Sequence, residues 1–212
     1  MSNSVRRALL VIDVQNEYVS GDLLIEYPDI HQSLKNIGRA MDTAKEAEIP
    51  IVIVQNTAPP DSPAFAKGSR GWKLHEVVTS REHDHYVEKR LPSAFAGTDL
   101  ATWIAGQGIE TLSVLGYMTH NCVASTVLHA LHAGLAVEVL DDATGSLPYA
   151  NQAGSVSAAE IHKAFNVVFQ SRFAAVLGTS QWIEAVTAGR VPERDSILKS
   201  YQRTYSLNRL AR

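Results

Sequence analysis

Three side chains in this 212-residue sequence can be combined into one piece of chemistry. Asp13 ends the run "ALLVID" (residues 8–13), Lys89 ends "DHYVEK" (84–89), and Cys122 follows "TLSVLGY" (111–117) within "GYMTHNCVAST". If those runs are parallel strands, their ends share one edge of a sheet, and an acid, an ammonium and a thiol meet there. A thiol at the start of a helix and beside an ammonium is expected to have a lowered pKa, and the acid can accept its proton. The result is an activated sulfur nucleophile suited to acyl transfer. Each residue also has a plainer reading on its own: Cys122, the only cysteine, can simply fill apolar space, Asp13 can cap a loop, and Lys89 can be solvated.

The elements that must position these residues alternate along the chain. Continuous apolar runs, expected of strands covered on both faces, recur at 8–13, 49–55, 84–89, 111–117, 135–142 and 173–178. Helical patterns lie between most of them, at 31–48, 98–108, 122–134 and 155–169, with Gly108 and Gly134 placed as C-terminal caps and Thr98 as an N-cap. The alternation predicts an α/β fold, a doubly wound and mainly parallel sheet of about six strands with helices on both faces. Residues 1–190 are expected to form one domain, and 191–212 a polar, partly helical tail. The connection over 56–82 is long and rich in Pro and Gly, as functional loops often are.

Composition excludes several function classes. Hydrophobic residues make up 45% and charged residues 19%, with a net charge of -3 spread without blocks, so there is no basic stripe for nucleic acid and no polybasic patch for a membrane. A single cysteine rules out an internal disulfide framework. The apolar run near the N-terminus is too short for a signal peptide, which makes a cytoplasmic protein the expectation. The stretch after the first strand, "DVQNEY", lacks the G-x-G-x-x-G of a dinucleotide site.

Three blocks, "LLVIDVQNEY", "VEKRLPSAFAGTDL" and "LSVLGYMTHNCVASTVLHALHAGLAVEVLDDATGS", resemble in order and spacing the signature regions of the isochorismatase-like cysteine hydrolases. The resemblance implies a catalytic triad of Asp13, Lys89 and Cys122. It also implies a cis peptide between Tyr117 and Met118, and an oxyanion hole built from the backbone N–H groups of Met118 and Cys122. True isochorismatases lack the cysteine, so its presence here points to cleavage of a C–N bond in a small amide, ureide, carbamoyl or lactam substrate. The nicotinamidase branch carries Asp-x-His after the second strand, where this chain reads "QNTAPPDS". No metal and no cofactor are therefore expected, and "GYMTH" is closer to the generic and streptothricin-hydrolase-like members. A homodimer or homotetramer is implied as well.

Gln15, Tyr18, Trp72, Phe95 and His120 are the candidates to shape a substrate pocket, with core packing the alternative for Phe95 and a hydrogen-bonding role beneath the triad for Gln15. His83 and His85 alternate on a strand and so face opposite sides, which makes them solvated residues rather than metal ligands. His129 and His132 are read as surface or interface residues of a helix. Two further functions remain compatible with the same pocket: a non-catalytic binder of small ligands, and a thiol-based redox sensor, the latter disfavoured by the missing second cysteine.

Overall fold

The computed structural model describes residues 5–210, with side chains through residue 206. Its framework is a sheet of six parallel strands: β1 (Arg7–Ile12), β2 (Ile51–Asn56), β3 (His85–Lys89), β4 (Thr111–Tyr117), β5 (Ala136–Gly145) and, numbered after a later hairpin, β8 (Ala175–Leu177). The order across the sheet is β3-β2-β1-β4-β5-β8. Strand order reverses between β1 and β4, so their carboxyl ends flank the crevice where such sheets place ligands.

Period-two alternation explains why the strands read as unbroken apolar runs. Ala8, Leu10 and Ile12 of β1 enter one core with Leu100 and Ile104 of α4 (Leu100–Gln107) and Val127 and Ala130 of α5 (Ala124–His132). Leu9 and Val11 enter the other core, against Leu34, Ile37 and Met41 of α2 (Ile30–Glu46) and Trp182 of α7 (Thr179–Thr187). With helices on both faces, no strand position is free to be polar without a partner. Glu138 is the exception that proves this: it is buried, paired with Arg7 at 2.9 Å, and it accepts hydrogen bonds from Ser113 Oγ at 2.7 Å and Trp182 Nε1 at 3.0 Å.

All six expected strands are present. The connection over 56–82 stays mostly irregular, with one short helix, α3 (Glu76–Thr79), and a bridge from Leu74 back to Gln15. Helix α4 begins one residue later than expected: Asp99 is its N-cap, while Thr98 Oγ1 accepts a long 3.4 Å bond from the Leu100 N–H. Gly108 ends it in the left-handed region, at φ 62°.

The helix expected over 155–169 is corrected at its start. Residues 149–156 form a hairpin of β6 (Tyr149–Asn151) and β7 (Gly154–Val156), and α6 runs from Ala158 to Val168. Two local forces set that boundary. The Asn151 side chain accepts the Ala153 N–H at 2.9 Å and closes the turn, and Ser157 with Glu160 forms a capping box that starts the helix. Three helices were not anticipated, α1 (Glu17–Ser20), α3 and α7, while the tail, expected to be partly helical, carries α8 (Ile197–Leu210). The tail is tied to the body by Asp195 N–H to Gln170 C=O at 2.8 Å and Arg194 Nη1 to Arg172 C=O at 2.7 Å. No helix among the described residues is long and apolar enough to cross a membrane.

Candidate active site

Asp13 is the first residue past β1 and takes a left-handed backbone, φ 51°, which a non-glycine residue adopts only where its surroundings hold it. One of those surroundings is Gly116 on the adjacent β4. Its φ is 105°, and a Cβ there would lie 2.0 Å from the Ile12 carbonyl oxygen, so the two strands approach this closely only because the position is glycine.

Lys89 closes β3 two strands away and reaches inward across the end of β2. Its Nζ stands 2.7 Å from Asp13 Oδ2, 3.2 Å from Cys122 Sγ and 3.5 Å from Asn56 Oδ1. Asp13 is 0%, Lys89 1% and Cys122 6% exposed, so the three groups interact with little solvent screening. Burial opposes the charge on Lys89, but Asp13 and then Cys122 outweigh it, and the ammonium is held on more firmly than usual. Burial pushes the Asp13 carboxyl above its usual range, with Lys89 working against that rise.

Cys122 lies in a π-helical turn, Thr119–Val123, between β4 and α5. The turn crosses from one layer to the other: Met118 packs in the core under α2, while Cys122 and Val123 pack in the core under α4 and α5. The Tyr117–Met118 peptide is cis, as the resemblance implies. The Met118 carbonyl accepts the amides of Asn121 (3.0 Å) and Val123 (3.2 Å), bonds that use neither the Met118 nor the Cys122 N–H.

The expectation of a lowered thiol pKa is overturned in the resting site. Burial, and after it the charge of Asp13, push Cys122 up to about 12, and Lys89 offsets only part of this. The cation near the thiol is outweighed by the cost of desolvating a thiolate beside a carboxylate, a cost that spacing along the chain does not reveal. The resting site is accordingly a neutral thiol next to an ammonium–carboxylate pair.

The remaining candidates divide into groups. Gln15 is fully buried and works on the backbone: its Nε2 donates to the carbonyls of Asn56 (2.9 Å) and Trp72 (2.7 Å), and its Oε1 accepts the Asn56 N–H (3.0 Å). It thereby ties β2 and the 56–82 connection beneath the triad. Trp72 is part of the same tie, its Nε1 donating to Thr57 Oγ1 at 2.8 Å. Phe95 is a core residue stacked on His129, centroids 4.7 Å apart. Tyr18 is buried between Phe65 and Tyr117, and burial, above all, holds its hydroxyl protonated. His120 is a half-buried residue of the nucleophile turn itself, with Nδ1 3.1 Å from Ser146 Oγ, and burial keeps its ring neutral.

Two residues were missed. Asn56, the last residue of β2, lends its side-chain oxygen to Lys89. Tyr149 of β6 packs edge-on against His120 at 5.0 Å, is 41% exposed, and has its hydroxyl pKa raised chiefly by burial. Asn56 was accessible to reasoning as a strand-end polar residue. Tyr149 was not, because the hairpin that carries it was read as loop and helix.

His83 is exposed, while His85 stacks on Trp103 at 4.9 Å and meets Asp99 at 3.1 Å. Among the described residues no group of three or more His, Cys, Asp and Glu is placed to hold a metal ion.

Fold and site together define a doubly wound α/β protein of the hydrolase type, with a buried thiol, ammonium and carboxylate at its topological switch point. Residues 7–181 match the isochorismatase domain, and the chain belongs to that family. It is 32% identical over 168 residues, 77% of this chain and 87% of the relative, to a secreted isochorismatase effector of Verticillium dahliae. It is 33% identical to the streptothricin hydrolase of Streptomyces noursei over 65% of this chain, which spans 49% of that enzyme. A crystal structure of an isochorismatase-type protein from Burkholderia xenovorans LB400 superposes with a TM-score of 0.96 at 62% identity, covering 97% of this chain and 99% of that one.

Proposed function

We propose that this chain is a cysteine-dependent amidohydrolase that cleaves the C–N bond of a small amide, ureide, carbamoyl or lactam substrate. The observation that carries the reading is the position of Lys89 Nζ, 2.7 Å from Asp13 and 3.2 Å from the Cys122 sulfur, with all three groups buried. Asp13, Lys89 and Cys122 are the catalytic residues in this reading, and the similarity to a streptothricin hydrolase supports the substrate class.

The order of steps follows from the charges. With substrate bound, Asp13 takes the thiol proton and the sulfur attacks the carbonyl carbon; a C–S bond forms and the π pair moves to oxygen. The backbone N–H groups of Met118 and Cys122 are the donors for that oxyanion. When it collapses the C–N bond breaks, and the proton on Asp13 passes to the departing nitrogen, leaving a thioester. Water then attacks the thioester as Asp13 removes a proton from it; the C–S bond breaks and the sulfur recovers the proton. Lys89 stays charged throughout and stabilises the thiolate, whose formation would otherwise be opposed by the burial that lifts Cys122.

An ammonia-release screen over primary amides, ureides and carbamoyl amino acids, with lactams followed instead by the amine that ring opening exposes, tests the reading. Cys122→Ala is expected to lower turnover by at least ~10³-fold. Turnover unchanged in that variant would overturn the mechanism.

A further inference from the structure

The chain that leaves β5 leads from the sheet to the nucleophile turn. Gly145 pairs with Tyr117 at the carboxyl ends of β5 and β4, Ser146 follows, and the backbone then enters the hairpin β6–β7. That hairpin pairs with no other strand among the described residues, and every residue of its two strands is exposed. Two strands by themselves are marginal in water, so something must seat them. The seat is the nucleophile turn: Tyr149 packs edge-on against His120 at 5.0 Å, and His120 is fixed in turn by Ser146, whose Oγ lies 3.1 Å from its Nδ1. His120 Nε2 is sealed from solvent without a partner, so the ring supports Tyr149 and reaches no ligand, whichever nitrogen holds the proton.

Packing of this kind needs only a ring, and phenylalanine would serve. The hydroxyl of Tyr149 is left over. Tyr149 is 41% exposed, and its hydroxyl has no hydrogen-bond partner among the described residues. Tyr18 of α1 presents a second such group. It is only 2% exposed, yet its hydroxyl is also without a partner among the described residues and is not one of the sealed polar atoms, so the exposure it keeps includes the oxygen. A thiolate at Cys122 would be felt at both oxygens, and Tyr149 is near enough to act on Tyr18, which places the two hydroxyls around the sulfur. Burial, above all, keeps both protonated and so able to donate. Asp13 and Glu17 act on Tyr18 from the same side, and Lys89 is already paired with Asp13, so the local field disfavours an anion.

A nearly buried hydroxyl without a partner costs stability until something completes it. We propose that Tyr149 is a specificity-determining residue that joins Tyr18 in donating hydrogen bonds to the acyl chain of the substrate, which is accordingly an uncharged amide bearing an ether, keto or hydroxyl oxygen beyond the scissile carbonyl. The scissile carbonyl itself goes to the backbone N–H groups of Met118 and Cys122, so the acceptor is a second group. The inference deepens the amidohydrolase reading and rests on it for the place of the substrate.

Protection of Cys122, the only cysteine, from iodoacetamide tests it, with alkylation counted by mass spectrometry of the full chain in mildly alkaline buffer. Methoxyacetamide and butyramide are the probes, alike in size and differing by one ether oxygen, and succinamate is the anionic control. Methoxyacetamide should protect at a concentration about 10-fold lower than butyramide, the worth of one or two neutral hydrogen bonds. Tyr149→Phe keeps a ring on His120 and should cut that preference by about 3-fold or more, leaving protection by butyramide unchanged. Tyr205→Phe, at an exposed tyrosine of the tail, should leave the preference intact. No protection by either amide at millimolar concentration, an ether no better than its hydrocarbon counterpart, a preference that survives in Tyr149→Phe or is lost in Tyr205→Phe, or succinamate protecting best would each overturn the proposal. The assay counts alkylated sulfur and needs no turnover, so its failure is distinct from failure of the amidohydrolase reading, which shows as hydrolysis unchanged in Cys122→Ala.

Discussion

Replacing Lys89 by Met keeps most of the volume of a fully buried side chain and removes the cation 2.7 Å from Asp13. At that separation and an effective dielectric near 20, the attraction withdrawn is about 6 kcal/mol before any relaxation. Relief from burying the ammonium returns part of this, and breaking a buried pair by removing one partner typically leaves a net loss of about 3–5 kcal/mol. With a urea m-value of about 2 kcal/mol/M, the unfolding midpoint at neutral pH should fall by about 1.5–2.5 M with unchanged slope. The loss should shrink in acid. Asp13 already has a raised native pKa, so its burial costs stability as pH rises through that value and costs little below the unfolded one. Asp13→Asn in the Lys89→Met background should restore part of the stability, because the stranded charge is gone. A midpoint shift equivalent to less than about 1 kcal/mol, the size for an exposed pair, would refute the reasoning, as would a double variant weaker than Lys89→Met alone.

Three further outcomes follow from the same structure. The Cys122 thiol, lifted to about 12, should react slowly with iodoacetamide at neutral pH, with a rate still climbing above pH 10; a plateau near the pH of an ordinary cysteine would contradict its protonated resting state. Gly116→Ala should destabilise by about 3 kcal/mol or more, since its Cβ meets the Ile12 oxygen at 2.0 Å and its φ is 105°, and a melting temperature equal to the parent's would show the strands able to separate there. Burial lowers His162 from 6.5 to about 4, so the native state resists a proton that the unfolded chain accepts. Stability should be complete above 6.5 and fall by about 3 kcal/mol as pH drops toward 4, a limb that His162→Gln should flatten in denaturation curves taken across that range.

The site was legible where its residues sit at strand ends. Asp13 and Lys89 end, and Cys122 follows, runs read as parallel strands, and parallel strands deliver their carboxyl ends to one edge; β1 and β4 are buried throughout, while β3 is a half-exposed edge strand. Gln15 was placed near the site by the same rule, and its hydrogen bonds to Asn56 and Trp72 show it working on the frame beneath. Tyr149 was lost because a three-residue strand carries too little periodicity to be seen, and the helix that follows masked it.

By itself the sequence determined the six strands, their common direction and the residue types at the switch point, because burial on both faces and side-chain alternation are local properties of the chain. It could not determine the protonation of those residues. Cys122 is next to an ammonium and a carboxylate at once, and which of them governs depends on distances and on the water excluded when α2, α4 and α5 close over the sheet. A cleft beside α8 is likewise a product of tertiary structure, since packing brings Tyr27 to Asp141 and Asn166 across more than a hundred residues of chain. Electrostatic energies depend on separation and solvent exposure in three dimensions, and neither is written in the order of residues.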